Sequence, residues 1–394
     1  MPTPSTMTIV ADENIPLARE AFGTIGTVLP VAGRAITTDH IRSADALLVR
    51  SVTPVNEALL QQHSLDFVGS ATIGTDHIDQ DLLQRRGIPF AHAPGSNADS
   101  VADYVIAALL RHAAAQGVSL PDRTVGVIGH GNTGARVARR CAALGCHVLR
   151  NDPPLAEAHP GDDHPFVPLP ELLHAADIVS LHVPLTTTGA HPTFRLVDAD
   201  LLAEMQPGTW LVNTARGDVI DPHAVAQALD SNHLGAALFD VWPNEPTPDP
   251  ELVARTALAT PHIAGYAYDG KVRGTHMLYE ALCEARDEPA TWTPESALAE
   301  QAPERWHCTP PDPNTPRTQY LHTLAQQTYA IADDDRRMRA LPAHPPETRG
   351  KQFAALRRDY PVRREMQRYR VRRTAVPDAL HGAVTGGLTM QLRS

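Results

Sequence analysis

Three polar residues stand just past short apolar runs in the second half of the chain: Arg216 after "WLVNTA", Glu245 after "LFDVWPN" and His262 after "LATP". A histidine can take or return a proton near neutral pH, because its pKa lies there. A carboxylate on the other ring nitrogen fixes the tautomer and stabilises the imidazolium. A guanidinium can hold a carboxylate through two parallel hydrogen bonds and polarise a developing carbonyl. Oxidation of a 2-hydroxy acid calls for such a set: the hydroxyl proton must be taken while hydride leaves the same carbon. Singly, each has an ordinary reading: a surface arginine, an exposed loop glutamate, a histidine satisfied by backbone. Their order after successive runs, downstream of a glycine-rich loop, gives the catalytic reading its weight.

That loop is "VGVIGHGNTGARVARRCAALG", with Gly129, Gly131 and Gly134 in G-x-G-x-x-G spacing and Asn132 and Thr133 between the last two. The first glycine permits the tight turn after a strand, the second a close approach of backbone to a pyrophosphate, and the third close packing of the following helix. The helix then aims its free N–H groups at the phosphates. Asp152 lies 23 residues after Gly129, where a carboxylate can accept from a ribose 2′-OH and repel a 2′-phosphate. The expected cofactor is therefore NAD rather than NADP, although Arg150 stands close by. A glycine-rich turn beside a solvated aspartate is the plain alternative.

Both features need strand ends to hold them. The first hundred residues give the apolar runs "TIVAD" (8–12), "ALLVR" (46–50), "DFVGS" (66–70) and "IPFAH" (88–92), separated by helix-like stretches such as 80–86. A long Ala- and Leu-rich helix is expected over 94–117, with Ser96 and Asn97 as N-caps and Gly117 as its stop. A second series follows: "TVGVIG" (124–129), "HVLRND" (147–152), "DIVSLHV" (177–183), "TWLVNT" (209–214), "AALFDV" (236–241) and "TALAT" (256–260). Strands alternating with helices point to an α/β chain with doubly wound parallel sheets. A further helix runs from about 269 to 286. The interval 287–316 carries seven prolines and reads as a linker before an arginine-rich C-terminal segment.

Composition limits the function classes. Hydrophobic content of 42% and charge of 20% describe a globular chain. A net charge of -11 disfavours general nucleic-acid binding. The segment 333–373 nonetheless holds 13 Lys+Arg against 6 Asp+Glu. It reads as a charged face that packs on acidic surface of this or another subunit, with a nucleic-acid arm as the rival. Four cysteines without CxxC spacing suit a reducing, cytoplasmic setting. The twenty histidines show no metal-binding spacing, so no metal is expected. The opening residues lack the basic and apolar regions of a signal peptide, and no run approaches the ~20 apolar residues of a membrane span.

The segments "GHGNTG", "NTARGDVID", "FDVWPNEP" and "TPHIAGYAYDG" resemble signatures of the D-isomer-specific 2-hydroxyacid dehydrogenases, over about residues 1–290. The resemblance implies a flavodoxin-like substrate domain (1–96 with 269–286), a Rossmann NAD domain (97–268), the linker, and a C-terminal α+β dimerisation domain (317–394). It implies catalytic roles for Arg216, Glu245 and His262, with His262 the proton donor and acceptor. It implies nucleotide contacts at Asp152, Asp240 and Gly265, and substrate contacts at Ser51, Thr72 and Tyr266. Where the family often has Thr in "HTPL" this chain has Val183, so only a backbone contact to the cofactor is expected there. Less generic pieces, "VADENIPLAREAF", "LLVRSVTPVNEALL", "FVGSATIGTDHID", "HIAGYAYDGKVRGT" and the late "LRRDYPVRRE", resemble one branch of that family, and this resemblance implies 4-phospho-D-erythronate as the substrate and a homodimer as the assembly. Its phosphate calls for a cation, and Arg50, Lys271 and Arg273 are the candidates; Lys271 is one of only two lysines among 34 basic residues. The rivals are a relative acting on 3-phosphoglycerate or glycerate, and a non-catalytic, corepressor-like NAD sensor on the same fold.

Overall fold

The structure, a computed structural model, describes residues 7–61, 63–158, 166–300 and 306–394. The chain divides into two compact units, Met1–Asn97 with Ala267–Pro303, and Ala98–Tyr266 with Glu304–Ser394.

The first unit is built on five parallel strands: β1 (Met7–Asp12), β2 (Gly26–Val31), β3 (Ala46–Val49), β4 (Phe67–Ser70) and β5 (Phe90–His92), in the order β2-β1-β3-β4-β5. This is the flavodoxin-like order. Strands β3 and β4 are buried at every position, as a sheet covered on both faces requires. One face packs on the helix over Tyr268–Ala285 through Leu278, Tyr279 and Leu282, so a late segment completes the early sheet. Strand β2 was not expected. It alternates half-buried with exposed residues at the sheet edge and contains Pro30, so it lacks the apolar run of its neighbours.

The second unit holds six parallel strands: β6 (Thr124–Ile128), β7 (His147–Asn151), β8 (Ile178–Leu181), β9 (Thr209–Asn213), β10 (Leu234–Phe239) and β11 (Leu258–Ala259), in the order β11-β10-β9-β8-β6-β7. A parallel bridge from Arg150 to Phe166 adds one more position beyond β7. The order reverses at β6, between β7 and β8, which creates a crevice at the carboxyl ends of β6 and β8. Helix α1 (Ala98–Gln116) is buried almost all round and lies beside α2 (Asn132–Leu144). Arg140 of α2 is 1% exposed and pairs with Asp99, at 2.9 Å, and with Asp103 of α1. A charge network this buried contributes register more dependably than net stability.

The C-terminal segment packs as core of this second unit. Tyr320, Leu321, Leu324, Val384 and Leu388 share one apolar cluster with α1 and α2. Fully burying side chains of this size contributes roughly 1.5–3 kcal/mol each. The segment adds a small parallel sheet, β12 (His307–Cys308), β13 (Arg370–Arg372) and β14 (Gln391–Arg393), and a helix α3 (Pro346–Arg358). The proline-rich interval read as a linker carries two regular elements, the helix Glu295–Glu300 and β12. Its prolines fall outside both, and Pro294 opens the helix by accepting from Leu298 N–H at 2.9 Å.

Most arginines of the basic segment are spent internally. Arg339 binds Asp335 and the carbonyls of Val253 and Thr256, and Arg363 binds the carbonyls of Ile263 and Ala264. Among the described residues no helix is long and apolar enough to cross a membrane, and no cluster of three or more His, Cys, Asp or Glu could hold a metal. The four cysteines are free and buried.

Candidate active site

The crevice is shaped first by glycines. Gly129 ends β6 with φ +87°, and a Cβ there would stand 2.8 Å from the His182 carbonyl and 2.9 Å from Val183 N. A Cβ on Gly134 would meet the Gly129 carbonyl oxygen at 1.9 Å. Strand, loop and helix thus pack backbone to backbone. At Gly131, by contrast, an added Cβ would meet nothing within 4 Å, and no side chain caps the helix that begins at Asn132. The first turn of α2 therefore begins beside open space, with its leading N–H groups uncapped by any side chain, as an anion site at a helix N-terminus requires.

Asp152 follows β7. Its Oδ2 accepts from His130 N–H at 2.6 Å and its Oδ1 from Leu155 N–H at 3.1 Å. The carboxylate braces the glycine loop and keeps lone pairs for a ribose hydroxyl. Beside it, His130 Nδ1 and Arg150 Nε are sealed from solvent without a hydrogen-bond partner. Burial and the Arg150 charge push the His130 imidazole below its usual pKa, against the pull of Asp152. Orphaned donors next to an open helix N-terminus fit a dinucleotide.

The three chemical residues lie on neighbouring loops at the same end of the sheet. Asn213 closes β9 fully buried; its Nδ2 donates to the Arg216 carbonyl at 3.0 Å and its Oδ1 accepts from Ala215 N–H at 3.1 Å. This clamp, which sequence reasoning missed, fixes the turn that presents the half-buried Arg216. Arg216 Nη1 donates to the Ala215 carbonyl at 2.8 Å. Next to it, a Cβ on Gly217 would lie 2.0 Å from the Trp242 carbonyl, so the arginine loop rests directly on the backbone of the glutamate loop.

Glu245 is held from both sides. Its Oε1 accepts from Trp242 N–H at 3.0 Å and its Oε2 pairs with His262 Nδ1 at 2.7 Å. Trp242, 2% exposed, anchors that loop by donating its indole N–H to the Thr260 carbonyl at 2.8 Å. Burial alone would raise the Glu245 carboxyl. The His262 charge and hydrogen bond, the Arg357 guanidinium and the Trp242 N–H outweigh it and hold the pKa below the ordinary value. The glutamate stays ionised, as an imidazolium partner must.

Asp240 takes a place the sequence did not suggest. Its carboxylate accepts from Thr260 Oγ1 at 2.6 Å, Ile263 N–H at 2.8 Å and Ala264 N–H at 2.8 Å, while its own carbonyl accepts from His262 N–H at 2.7 Å. Four hydrogen bonds fix the turn that carries His262, whose φ of 57° lies in the left-handed region. For a non-glycine residue that conformation persists only where the surroundings dictate it. Gly265 and Tyr266 follow on the same turn, and the Tyr266 ring meets Tyr360 edge-on at 5.9 Å.

Within the second unit, therefore, the structure brings together Arg216, Glu245, His262 and Tyr266, and sets the glycine loop, Asp152 and Val183 at the switch point. Arg50, Ser51, Thr72 and Lys271 belong to the first unit. There Ser51 is exposed and Arg50 half-buried just past β3. The Thr72 hydroxyl donates to the Gly74 carbonyl at 2.9 Å and lies 2.7 Å from Ser70 Oγ, which leaves it an acceptor. Lys271 is half-buried on its helix, and Arg273 donates from Nε to the Ser96 carbonyl at 2.8 Å.

Comparison with known proteins places the chain among named relatives. Residues 98–264 match the D-isomer specific 2-hydroxyacid dehydrogenase NAD-binding domain, and residues 312–381 match a domain of unknown function. The chain is 54% identical to erythronate-4-phosphate dehydrogenase of Salinibacter ruber, covering 98% of this chain and 100% of that protein. It is 44% identical to the enzyme of the same name from Azotobacter vinelandii, covering 93% and 95%. Among solved structures it resembles the NAD-dependent formate dehydrogenase of Staphylococcus aureus in complex with NAD, with TM-score 0.59 and 25% identity over 72% of this chain and 97% of that one.

Proposed function

The chain belongs to the erythronate-4-phosphate dehydrogenases, within the D-isomer-specific 2-hydroxyacid dehydrogenase family, and we propose that its loop cluster oxidises 4-phospho-D-erythronate to (R)-3-hydroxy-2-oxo-4-phosphooxybutanoate, a step of pyridoxal 5′-phosphate synthesis. The cofactor is NAD, which when bound accepts the hydride that leaves C2. The observation that carries the reading is the 2.7 Å pair of His262 and Glu245, set in loops that rest on the loop of Arg216.

With Nδ1 bound to Glu245, the His262 Nε2 is the nitrogen left to take the C2 hydroxyl proton. The ring becomes imidazolium, and the ionised glutamate stabilises that form as the carbonyl develops. Arg216 holds the substrate carboxylate and stabilises charge gathering on the new carbonyl oxygen. Returning the proton to solvent resets the ring. Asp152 is the ribose contact, Gly129 to Gly134 the pyrophosphate cradle, and Val183, Asp240 and Gly265 line the nicotinamide end. Tyr266, Ser51 and Thr72 are substrate contacts, with Arg50 and Lys271 as cations for the phosphate. The assembly is a homodimer through the C-terminal segment, working in the cytoplasm.

The test is NADH formation by purified protein from 4-phospho-D-erythronate, with His262→Ala as control. Faster turnover of 3-phosphoglycerate or glycerate would overturn the substrate, and an inert wild-type protein across all three would overturn the enzyme. Light scattering checks the dimer, and a monomer at micromolar concentration would remove it.

A further inference from the structure

Helix α3 brings to the catalytic loops a cation that the mechanism above does not use. The helix lies against the loop of Glu245: a Cβ on Gly350 would stand 3.1 Å from Thr247 Cγ2 and 3.4 Å from Pro246 Cγ. Two turns further on, Arg357 places its guanidinium over the Tyr266 ring, with Cζ 5.6 Å from the centroid. It is also one of the charges acting on Glu245. Arg357 thus stands beside two residues already placed in the site.

Its neighbours show what a structural arginine looks like in this segment. Arg339 and Arg363 are each tied to two backbone carbonyls, and Arg339 to a carboxylate as well. Arg357 is different. Its Nε is sealed from solvent with no partner, and among the described residues the guanidinium makes no hydrogen bond and no ion pair. Five N–H donors held over an aromatic face, partly buried and unclaimed, are suited to a ligand with several acceptor oxygens and negative charge. A carboxylate one loop away would repel such a ligand unless a cation lay between.

We propose that Arg357 is a specificity-determining residue of this site: its guanidinium is a further cation on the substrate's phosphate, beyond those assigned above, leaving Arg216 for the carboxylate at the other end. The assignment rests on the reading of the substrate given above. It gives the C-terminal segment, and the "LRRDYPVRRE" run within it, a part in choosing the substrate.

The experiment compares wild type, Arg357→Gln and Arg357→Lys as full chains with NAD, on 4-phospho-D-erythronate and on D-erythronate, which lacks the phosphate. Arg357→Gln should lower kcat/KM about 10- to 100-fold on the phosphorylated substrate, mostly through KM, and leave D-erythronate within about threefold. Lysine, a point charge without the fork, should recover part of the loss. NAD affinity, read from protein fluorescence, should not move. An equal fall on both substrates, accompanied by a displaced acidic limb of the pH profile, would overturn the assignment and make Arg357 a positioning residue acting through Glu245. Binding of inorganic phosphate to the NAD-loaded protein keeps the two readings apart. A wild type that oxidises neither substrate brings down the proposed function, whereas phosphate affinity unchanged in Arg357→Gln brings down this assignment whatever the turnover.

Discussion

The glycine loop and the proton-handling loops grow from the same ends of one sheet, yet they are finished in opposite ways. At Gly131 the backbone faces open space, and the helix behind it begins without a side-chain cap. Around Glu245 and His262 nearly every polar group is engaged: Asn213, Asp240 and Trp242 each make two or more hydrogen bonds to the loops they hold. A site for a diphosphate must keep its donors free until the ligand arrives. A site for proton transfer must hold its groups to within tenths of an ångström, so it is tied down beforehand. Binding is left unfinished and chemistry is completed in advance.

Substitutions that touch one region and spare the other test this contrast. The largest effect is expected from His262→Ala, which should lower kcat/KM by about a thousandfold or more and leave NAD affinity unchanged; Glu245→Gln should fall short of it, at about a hundredfold, because the ring survives without its charge partner. Steady-state rates with fluorescence titration of NAD measure both, and a weakened NAD site in either variant would blur the separation.

Next come two methyl groups. Gly217→Ala drives a Cβ to 2.0 Å from the Trp242 carbonyl, so the two catalytic loops must part. The expected cost is roughly 1–3 kcal/mol in urea unfolding, with a steep loss of kcat. Gly131→Ala meets no protein atom and should stay within about 1 kcal/mol of wild type while raising KM for NAD about tenfold. Similar stability losses in both would contradict the contrast. Asp240→Asn lies between them: it keeps two acceptor lone pairs on one oxygen but presents N–H₂ to a backbone N–H, so kcat should drop more than NAD affinity.

The smallest effect is a slope. Burial, with a lesser push from His130, takes the His182 imidazole down to about 3 from an ordinary 6.5. Its ring nitrogens sit 2.9 Å from Ser180 Oγ and 3.4 Å from Thr214 Oγ1. Below 6.5 the unfolded chain gains a proton that the folded chain does not take, so the unfolded state binds more protons. Stability from this residue is complete above that value and is lost as pH falls toward 3, by at most ~1.4 kcal/mol per pH unit, and by less because the residue keeps some exposure. Urea melts of wild type and His182→Gln between about pH 4 and 6 should differ in slope; parallel curves would show that His182 titrates normally.

The sequence carried the contrast only in part. Strand ends were legible because buried parallel strands are continuous apolar runs, and the residues after them are where such sheets place chemistry. The glycine spacing was legible because each glycine answers a local need. Strand β2 escaped because an edge strand need not be apolar throughout, and Pro30 interrupts its run. The clamps escaped for another reason. Asn213 looks like an ordinary polar residue at a strand end and Asp240 was expected only at the nucleotide; the folded loops alone show that their side chains hold backbone. Arg363 and Arg357 were hidden among 13 basic residues whose surplus suggested a surface. Their partners lie some 90 to 100 residues earlier, at Tyr266 and at Ile263 and Ala264, a separation no spacing rule reaches.

That separation carries a consequence for the order of events on the ribosome. Arg363, seated 4.1 Å from the Tyr329 ring centroid, grips the carbonyls of the two residues after His262. At ~5–20 residues per second, several seconds pass between synthesis of that histidine and synthesis of the arginine that steadies its turn. The glycine loop and its helix have emerged well before. A nascent chain of this protein therefore holds every residue of its proton relay several seconds before the contact that steadies the histidine's turn exists, and translation that stopped short of Arg363 would lose that contact together with Val384 and Leu388, which share the core of the cradle's own helix.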